Sequence, residues 1–221
     1  MSGALSNFRQ IDGFDQLSVA RSGKLSCFAF TLKTGGFCLY SPVAGVAKAD
    51  GAGPAELGVV SMIFAPNHYH NKGLKPYSDL LPDATFVCSD MARPRLQKQT
   101  GLDFASMDVL SAALPENMQL LQPEGLKTGE VWLQVQQGQR VAWLVTDAFS
   151  GALRPEGAFN TAPSMLGTFP KFGIKHASTY REWLEKQISM QPPTHLLPCH
   201  GSPVHNANLG AALITVLEES I

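Results

Sequence analysis

Three short apolar runs in this chain each stop at a cluster of side chains suited to acid–base or metal chemistry. Residues 59–64 (Val-Val-Ser-Met-Ile-Phe) are halted by Pro66 and followed by Asn67-His68-Tyr69-His70-Asn71-Lys72-Gly73-Leu74. Residues 140–146 (Arg-Val-Ala-Trp-Leu-Val-Thr) run into Asp147, and residues 195–198 (His-Leu-Leu-Pro) into Cys199-His200-Gly201. Apolar runs of this length, bounded by turn formers, read as buried strands. Open α/β sheets build their sites at the carboxyl ends of such strands. The pattern therefore predicts an α/β chain with chemistry at three strand ends.

The other elements fall around these strands. Residues 25–32 alternate and turn at Gly35-Gly36 into 36–40, a predicted hairpin. Residues 17–20 form a short mixed segment, and 51–58 a Gly/Pro/Ala connection holding one helical turn. A short helix at 77–81, closed by Pro82-Asp83, leads to the apolar run 84–88. With 59–64 this makes a strand–helix–strand unit and predicts a parallel pair. In the second half, 118–121 and 129–137 read as strands, and the latter alternates Val131, Leu133 and Val135 against Trp132, Gln134 and Gln136. Gly138-Gln139 turns it into 140–146. Residues 178–191 are the best helix, with Tyr180, Trp183, Leu184 and Ile188 on one face, Ser178 as N-cap and Pro192-Pro193 as the stop. Residues 206–220 form a last helix. No linker or repeat interrupts the order, so the expectation is a single domain over 1–221 with two mixed sheets and helices outside them.

Composition narrows the function. Hydrophobic residues are 44% and charged residues 16% of 221, which is globular and not disordered. Net charge is −1, so no basic patch is implied, and neither nucleic acid nor an anionic membrane is expected as a partner. No apolar run is long enough to span a bilayer. The first ten residues lack an apolar signal core, and Cys27, Cys38, Cys88 and Cys199 include no Cys-x-x-Cys. The expectation is a cytoplasmic protein with reduced thiols. Gly-x-Ser-x-Gly, a phosphate loop and Gly-x-Gly-x-x-Gly are all absent from the sequence, which leaves no support for serine-hydrolase or nucleotide-binding readings.

A strand, a His-rich loop with Gly-Leu and a helix, then strand–Thr-Asp and strand–x-His-Gly, resembles the metallo-β-lactamase fold over nearly the whole chain. That resemblance implies a four-layer αββα sandwich. The family loop has the form His-x-His-x-Asp-His-x-Gly-Gly, and a later single His, a bridging Asp and a final His follow it. Aligned on Gly73-Leu74, the last loop histidine falls on His70, the first two on Ala65 and Asn67, and the aspartate on Tyr69. A second register would match His68 and His70 to the leading His-x-His. The family's middle histidine has no counterpart, because residues 71–146 contain no His. The run Ala65-Pro-Asn67…His70 also resembles a branch whose loop is Pro-Asn-x-x-His. Carried over residue by residue, the resemblance implies His70, Asp147 and His200 as metal ligands, with His68 as a substitute and with Asp147 and His70 also catalytic. Such a set holds at most one ion, zinc before iron, and Lys72 sets a cation beside the vacated second position. The ion would activate water and polarise a small ester, thioester, lactone or phosphoester.

Each of these residues also has a plainer reading. Asn67 is either a substrate contact or a turn former after Pro66, and Tyr69 an oxyanion donor or a rim aromatic. Lys72 is counted with them as a substrate contact. Asp147 could cap a turn. His200 before Gly201 is the most specific of the ligands, because a loop glycine lets the backbone turn sharply. His176 suits a helix cap, His195 a structural role and His205 a solvated position near the last helix. Cys199 reads as buried and inert. Residues 150–175 form a long Gly/Pro/Phe segment that suits a lid, a surface loop or a homodimer contact. Two functions follow: a metal-dependent hydrolase with a reduced site, or a non-catalytic relative that binds a small ligand or partner without metal.

Overall fold

The computed structural model describes residues 8–47 and 53–221, and they divide between Glu116 and Asn117 into two compact units. The predicted signal-free start (residues 1–7) and the first two residues of the 51–58 connection lie outside the described residues. No helix among those described is long and apolar enough to cross a membrane.

The first unit holds a six-stranded sheet in the order β1-β2-β3-β4-β5-β6. Strands β1 (Arg9–Ile11), β2 (Phe14–Ser22), β3 (Leu25–Thr31) and β4 (Phe37–Tyr40) pair antiparallel in sequence, so the predicted hairpin is present. Strand β5 (Val60–Ala65) then runs parallel to β4, and β6 (Thr85–Cys88) parallel to β5, as the strand–helix–strand reading required. The intervening helix α2 (Leu74–Leu80) starts three residues before the predicted 77, because Pro76 sits in its first turn, where a missing N–H costs nothing. A four-residue helix α1 (Ala44–Ala47) precedes β5, and a 3-10 turn (Pro54–Leu57) fills part of the predicted connection. Helices α3 (Arg93–Thr100) and α4 (Met107–Ala113) follow β6. One cluster of this unit joins Leu39, Ile63, Leu74, Tyr77, Phe86 and Leu96.

The second unit holds a five-stranded sheet in the order β11-β10-β9-β8-β7. Strands β7 (Met118–Leu121), β8 (Trp132–Gln137) and β9 (Arg140–Val145) form an antiparallel meander. Strand β10 (His195–Pro198) runs parallel to β9, and β11 (Val204–His205) closes the edge antiparallel to β10. Helix α5 (Phe169–Phe172) is a single turn inside the 150–175 segment. Helix α6 (Ala177–Met190) buries Tyr180, Trp183 and Leu184 as its spacing predicted, and α7 (Leu209–Ser220) buries Leu209, Leu213 and Leu217. The N-cap of α6 is His176 and not Ser178, and its side chain makes no capping hydrogen bond.

The Trp132/Gln134 face of β8 is not solvated. Trp132 packs against Trp143, Tyr180 and Trp183 with ring centroids 5.5, 6.5 and 5.2 Å away. Gln134 is buried, accepts from the Trp143 indole N–H at 2.8 Å and donates to Gln191 at 2.5 Å. Helix α6 thus covers a face whose polar atoms are satisfied pairwise, the condition for burying amides. The four cysteines are all buried and outside any disulfide, and burial pushes the Cys27 thiol up to about 12.

His195 opens β10 and is 6% exposed. Its ring stacks on His205 at 4.3 Å and 12°, and Phe159 meets it edge-on at 5.8 Å. His205 is an exposed residue of β11, before the last helix. Burial first, then the charges of His205 and Arg140, push His195 down to about 4. An unfolded imidazole titrates near 6.5. The unfolded chain thus binds the proton more tightly, so the stability from the neutral ring is complete above pH 6.5 and is lost as pH falls toward 4. We expect the wild type to lose roughly 2 kcal/mol more than His195→Phe between pH 7 and 4.5. Titrations of groups that do not touch His195 cancel in the difference; parallel urea-derived stability curves for the two proteins would refute the assignment.

Candidate functional site

In the first unit, β5 ends at Ala65 and the chain turns at Asn67. Asn67 is fully buried, and its Oδ1 accepts the backbone N–H of Tyr69 at 2.8 Å and of His70 at 3.0 Å. This is an Asx turn, the plainer of the two roles weighed for Asn67, and it fixes the backbone that carries His70. Asn71 donates to the His68 carbonyl at 3.1 Å and to Gln99 of α3 at 2.7 Å. The His68 ring stands edge-on to Tyr69 at 4.4 Å, and the Arg95 guanidinium lies 4.4 Å over the Tyr69 ring. Tyr69 is 37% exposed and Lys72 is exposed.

The Nδ1 of His70 shares a 2.6 Å hydrogen bond with the Oγ of Ser41. Ser41 is fully buried directly after β4 and adopts a φ of 58°, a left-handed conformation costly for a residue with a Cβ. Its backbone N–H donates to the Phe64 carbonyl at 3.1 Å. This bond orients the His70 ring through Nδ1, the ring's other nitrogen being Nε2. Nothing in the sequence marked Ser41.

In the second unit, the parallel register pairs Val145 with Pro198, and the Cys199 N–H donates to the Val145 carbonyl at 2.9 Å. Asp147 and His200 each lie two residues beyond that last pair, so their side chains emerge together. The Nε2 of His200 and the Oδ1 of Asp147 are 2.9 Å apart. Asp147 is 4% exposed and His200 partly exposed. Gly201 has a φ of 87° and crosses Gly151 so closely that a Cβ would overlap the Gly151 carbonyl. The loop thus turns as the His-Gly pair required. Cys199 is buried, as expected.

Beneath the Asp147 turn lies a residue that the sequence reading passed over. Glu130 is 3% exposed. Its Oε1 accepts the Trp132 indole N–H at 2.8 Å and the backbone N–H of Thr146, Asp147 and Ala148 at 3.1, 3.2 and 3.3 Å; its Oε2 also accepts from Asp147, at 3.2 Å. Burial pushes its carboxyl well above the usual range, and the Asp147 charge adds to that, while the Trp132, Ala148 and Thr146 hydrogen bonds oppose it.

An imidazole nitrogen and a carboxylate oxygen form a donor pair suited to zinc or iron. Ligand atoms of one tetrahedral zinc ion, at 2.0–2.1 Å each, lie about 3.3 Å from one another. The 2.9 Å pair needs only a small opening to accept an ion in place of the shared proton.

Comparison with solved structures places the whole chain in one fold. A fragment (1–254) of a diflavin flavoprotein from Nostoc sp. PCC 7120 superposes with a TM-score of 0.70 at 14% identity, covering 98% of each chain. A metallo-β-lactamase from Pontibacter korlensis gives 0.60 at 10% identity, covering 97% of this chain and 99% of that one. The metal-soaked flavodiiron core from Synechocystis sp. PCC6803 gives 0.65 at 11% identity over 98% of this chain, which spans about 61% of that protein's length. No protein-family model and no curated protein matches the sequence. The chain has the metallo-β-lactamase fold, a mixed α/β architecture with two sheets.

Proposed function

We propose that this chain is a metal-dependent hydrolase with a reduced, mononuclear site. The observation that carries the reading is the part-buried Asp147–His200 pair at the ends of adjacent parallel strands in a metallo-β-lactamase fold. His70 is the proposed third ligand, as the family resemblance implies, with its ring oriented by the Nδ1–Ser41 hydrogen bond. Zinc is the first choice of ion and iron the second, because two imidazoles and one carboxylate suit both. When bound, such an ion supplies an acidified water and a Lewis acid for an acyl or phosphoryl centre.

The protein's own groups do the rest. Asn67 shapes the loop that presents His70, and Ser41 fixes its ring. The hydrogen bond between Asp147 and His200 keeps the two groups side by side where they would hold the ion. Tyr69 and Lys72, exposed on the same loop as His70, are the proposed contacts for a substrate oxyanion. The substrate is a small ester, thioester, lactone or phosphoester, and the protein is proposed to work in the cytoplasm.

The test is metal content first and turnover second. Protein purified without chelator is expected to hold about one equivalent of zinc or iron, lost on dialysis against chelator and regained with Zn²⁺. A panel of p-nitrophenyl acetate, a thioester, a lactone and p-nitrophenyl phosphate is then expected to show turnover that follows the metal. Protein that holds no metal and whose melting temperature does not move with Zn²⁺ would instead indicate the metal-free binding relative.

A further inference from the structure

We infer that Glu130 is a positioning residue for Asp147. The inference rests on the reading of Asp147 as a metal ligand. Glu130 is the only charged residue between Lys127 and Arg140, and it is buried just before β8. Three consecutive backbone N–H groups, those of Thr146, Asp147 and Ala148, converge on its carboxylate. Successive amides aimed at one anion form a nest, which elsewhere binds phosphate or a free carboxylate; here the anion belongs to the protein.

The geometry explains what this does for the site. Strand β9 ends at Val145, so the N–H groups of residues 146–148 have no partner strand in the ladder. The carboxylate replaces that ladder and holds the peptide planes on both sides of the Asp147 Cα. With both planes held, the Cα–Cβ direction of Asp147 is fixed, and its Oδ1 stays beside the His200 Nε2. The Trp132 indole N–H anchors Glu130 in turn, which ties the Asp147 turn to the aromatic core of the second unit. A neutral amide at position 130 keeps one acceptor oxygen but puts an NH₂ group where Oε2 meets the Asp147 N–H. The turn is then held less tightly without being emptied.

The test combines amide exchange with metal affinity. In the wild type, the amides of Thr146, Asp147 and Ala148 are expected to exchange as slowly as those of β9, although they lie beyond the strand. In Glu130→Gln, they are expected to exchange at least roughly tenfold faster while the β8–β9 amides keep their protection. Affinity for Zn²⁺, measured by competition with a chromophoric chelator, is expected to fall roughly 10- to 100-fold, the usual effect of losing a group that orients a ligand. Melting of the metal-free variant serves as the folding control. Fast exchange at 146–148 in the wild type would overturn the inference even if the variant did not fold. A folded Glu130→Gln protein with wild-type Zn²⁺ affinity would overturn it too, while leaving the metal site intact. A wild type that binds no Zn²⁺ but protects these amides would sink the metal reading itself, and the positioning role with it.

Discussion

Asp147→Ala is expected to lose stoichiometric metal binding and yet, without metal, to keep its stability to within about 1 kcal/mol of the wild type. A structural zinc ion bound by four ligands is worth about 10–16 kcal/mol, or roughly 3 kcal/mol per ligand. Removing one ligand should therefore weaken Zn²⁺ binding by at least about 10²-fold. The stability expectation differs. Asp147 is buried and its charge helps to push the Glu130 carboxyl upward, so the two carboxylates repel. The bonds from Glu130 run to the backbone of Asp147 and survive the substitution. Truncation thus relieves a like-charge contact and leaves the nest filled, while it forfeits the hydrogen bond to His200, worth about 1 kcal/mol, so the two effects offset. Zn²⁺ at a hundred times the wild-type dissociation constant should raise wild-type stability by about 2.7 kcal/mol and that of the variant by no more than about 0.4 kcal/mol. Thermal melts of both proteins, with and without Zn²⁺, decide the matter. A metal-free variant destabilised by several kcal/mol would make Asp147 a turn cap, the plainer role considered for it.

The same residues show what the sequence could disclose. Strand ends carrying Asp147 and His200 were legible because each follows an unbroken apolar run, and a parallel pair delivers both side chains to one end. The Gly after His200 was legible because a left-handed turn leaves few alternatives. Glu130 was not, because a lone acidic residue before an alternating strand looks like a solvated flank; only the strand-end amides above it reveal its role. Ser41 was hidden for a similar reason, since its partner lies 29 positions away and its positive φ leaves no compositional trace.

For the fold, elements with a clear period were found and those without were not. Residues 25–31, 132–137 and 177–190 carry periods of 2 or 3.6 and were placed within a few positions. Strand β2 buries Phe14, Leu17 and Ala20, a spacing of three that matches neither alternation nor a full helical stripe. Helix α3 has a single buried apolar side chain, Leu96, among charged and amide neighbours, so it has no stripe to detect. In β8 the alternation was legible, but not that residues of both faces are buried. Trp132 and Gln134 are buried with the amide of Gln134 bonded to that of Gln191, a pairing between residues 57 apart.

Gly201→Ala is expected to be the most damaging single substitution at a glycine, and its two costs can be separated. The first is conformational: at φ 87° a residue with a Cβ loses about 1–2 kcal/mol. Gly138→Ala isolates that cost, because its φ is 60° and a Cβ there meets nothing within 4 Å. The second is steric. Gly151→Ala isolates it, since Gly151 does not need a positive φ but a Cβ on it would meet the Ser202 carbonyl and the Asn160 amide. Gly201→Ala carries both, because its Cβ would overlap the Gly151 carbonyl. We expect losses of about 1 kcal/mol for Gly138→Ala, about 2 for Gly151→Ala and at least about 3 for Gly201→Ala. For a chain of this size that means a fall of about 6–12 °C in Tm for Gly201→Ala. Because the Gly151 N–H donates to the His200 carbonyl at 3.2 Å, the same displacement moves His200, so Zn²⁺ affinity should fall for Gly201→Ala and Gly151→Ala but not for Gly138→Ala. Equal melting of Gly201→Ala and Gly138→Ala would mean that the crossing of the two glycine loops yields freely, and that it does not hold His200 in place.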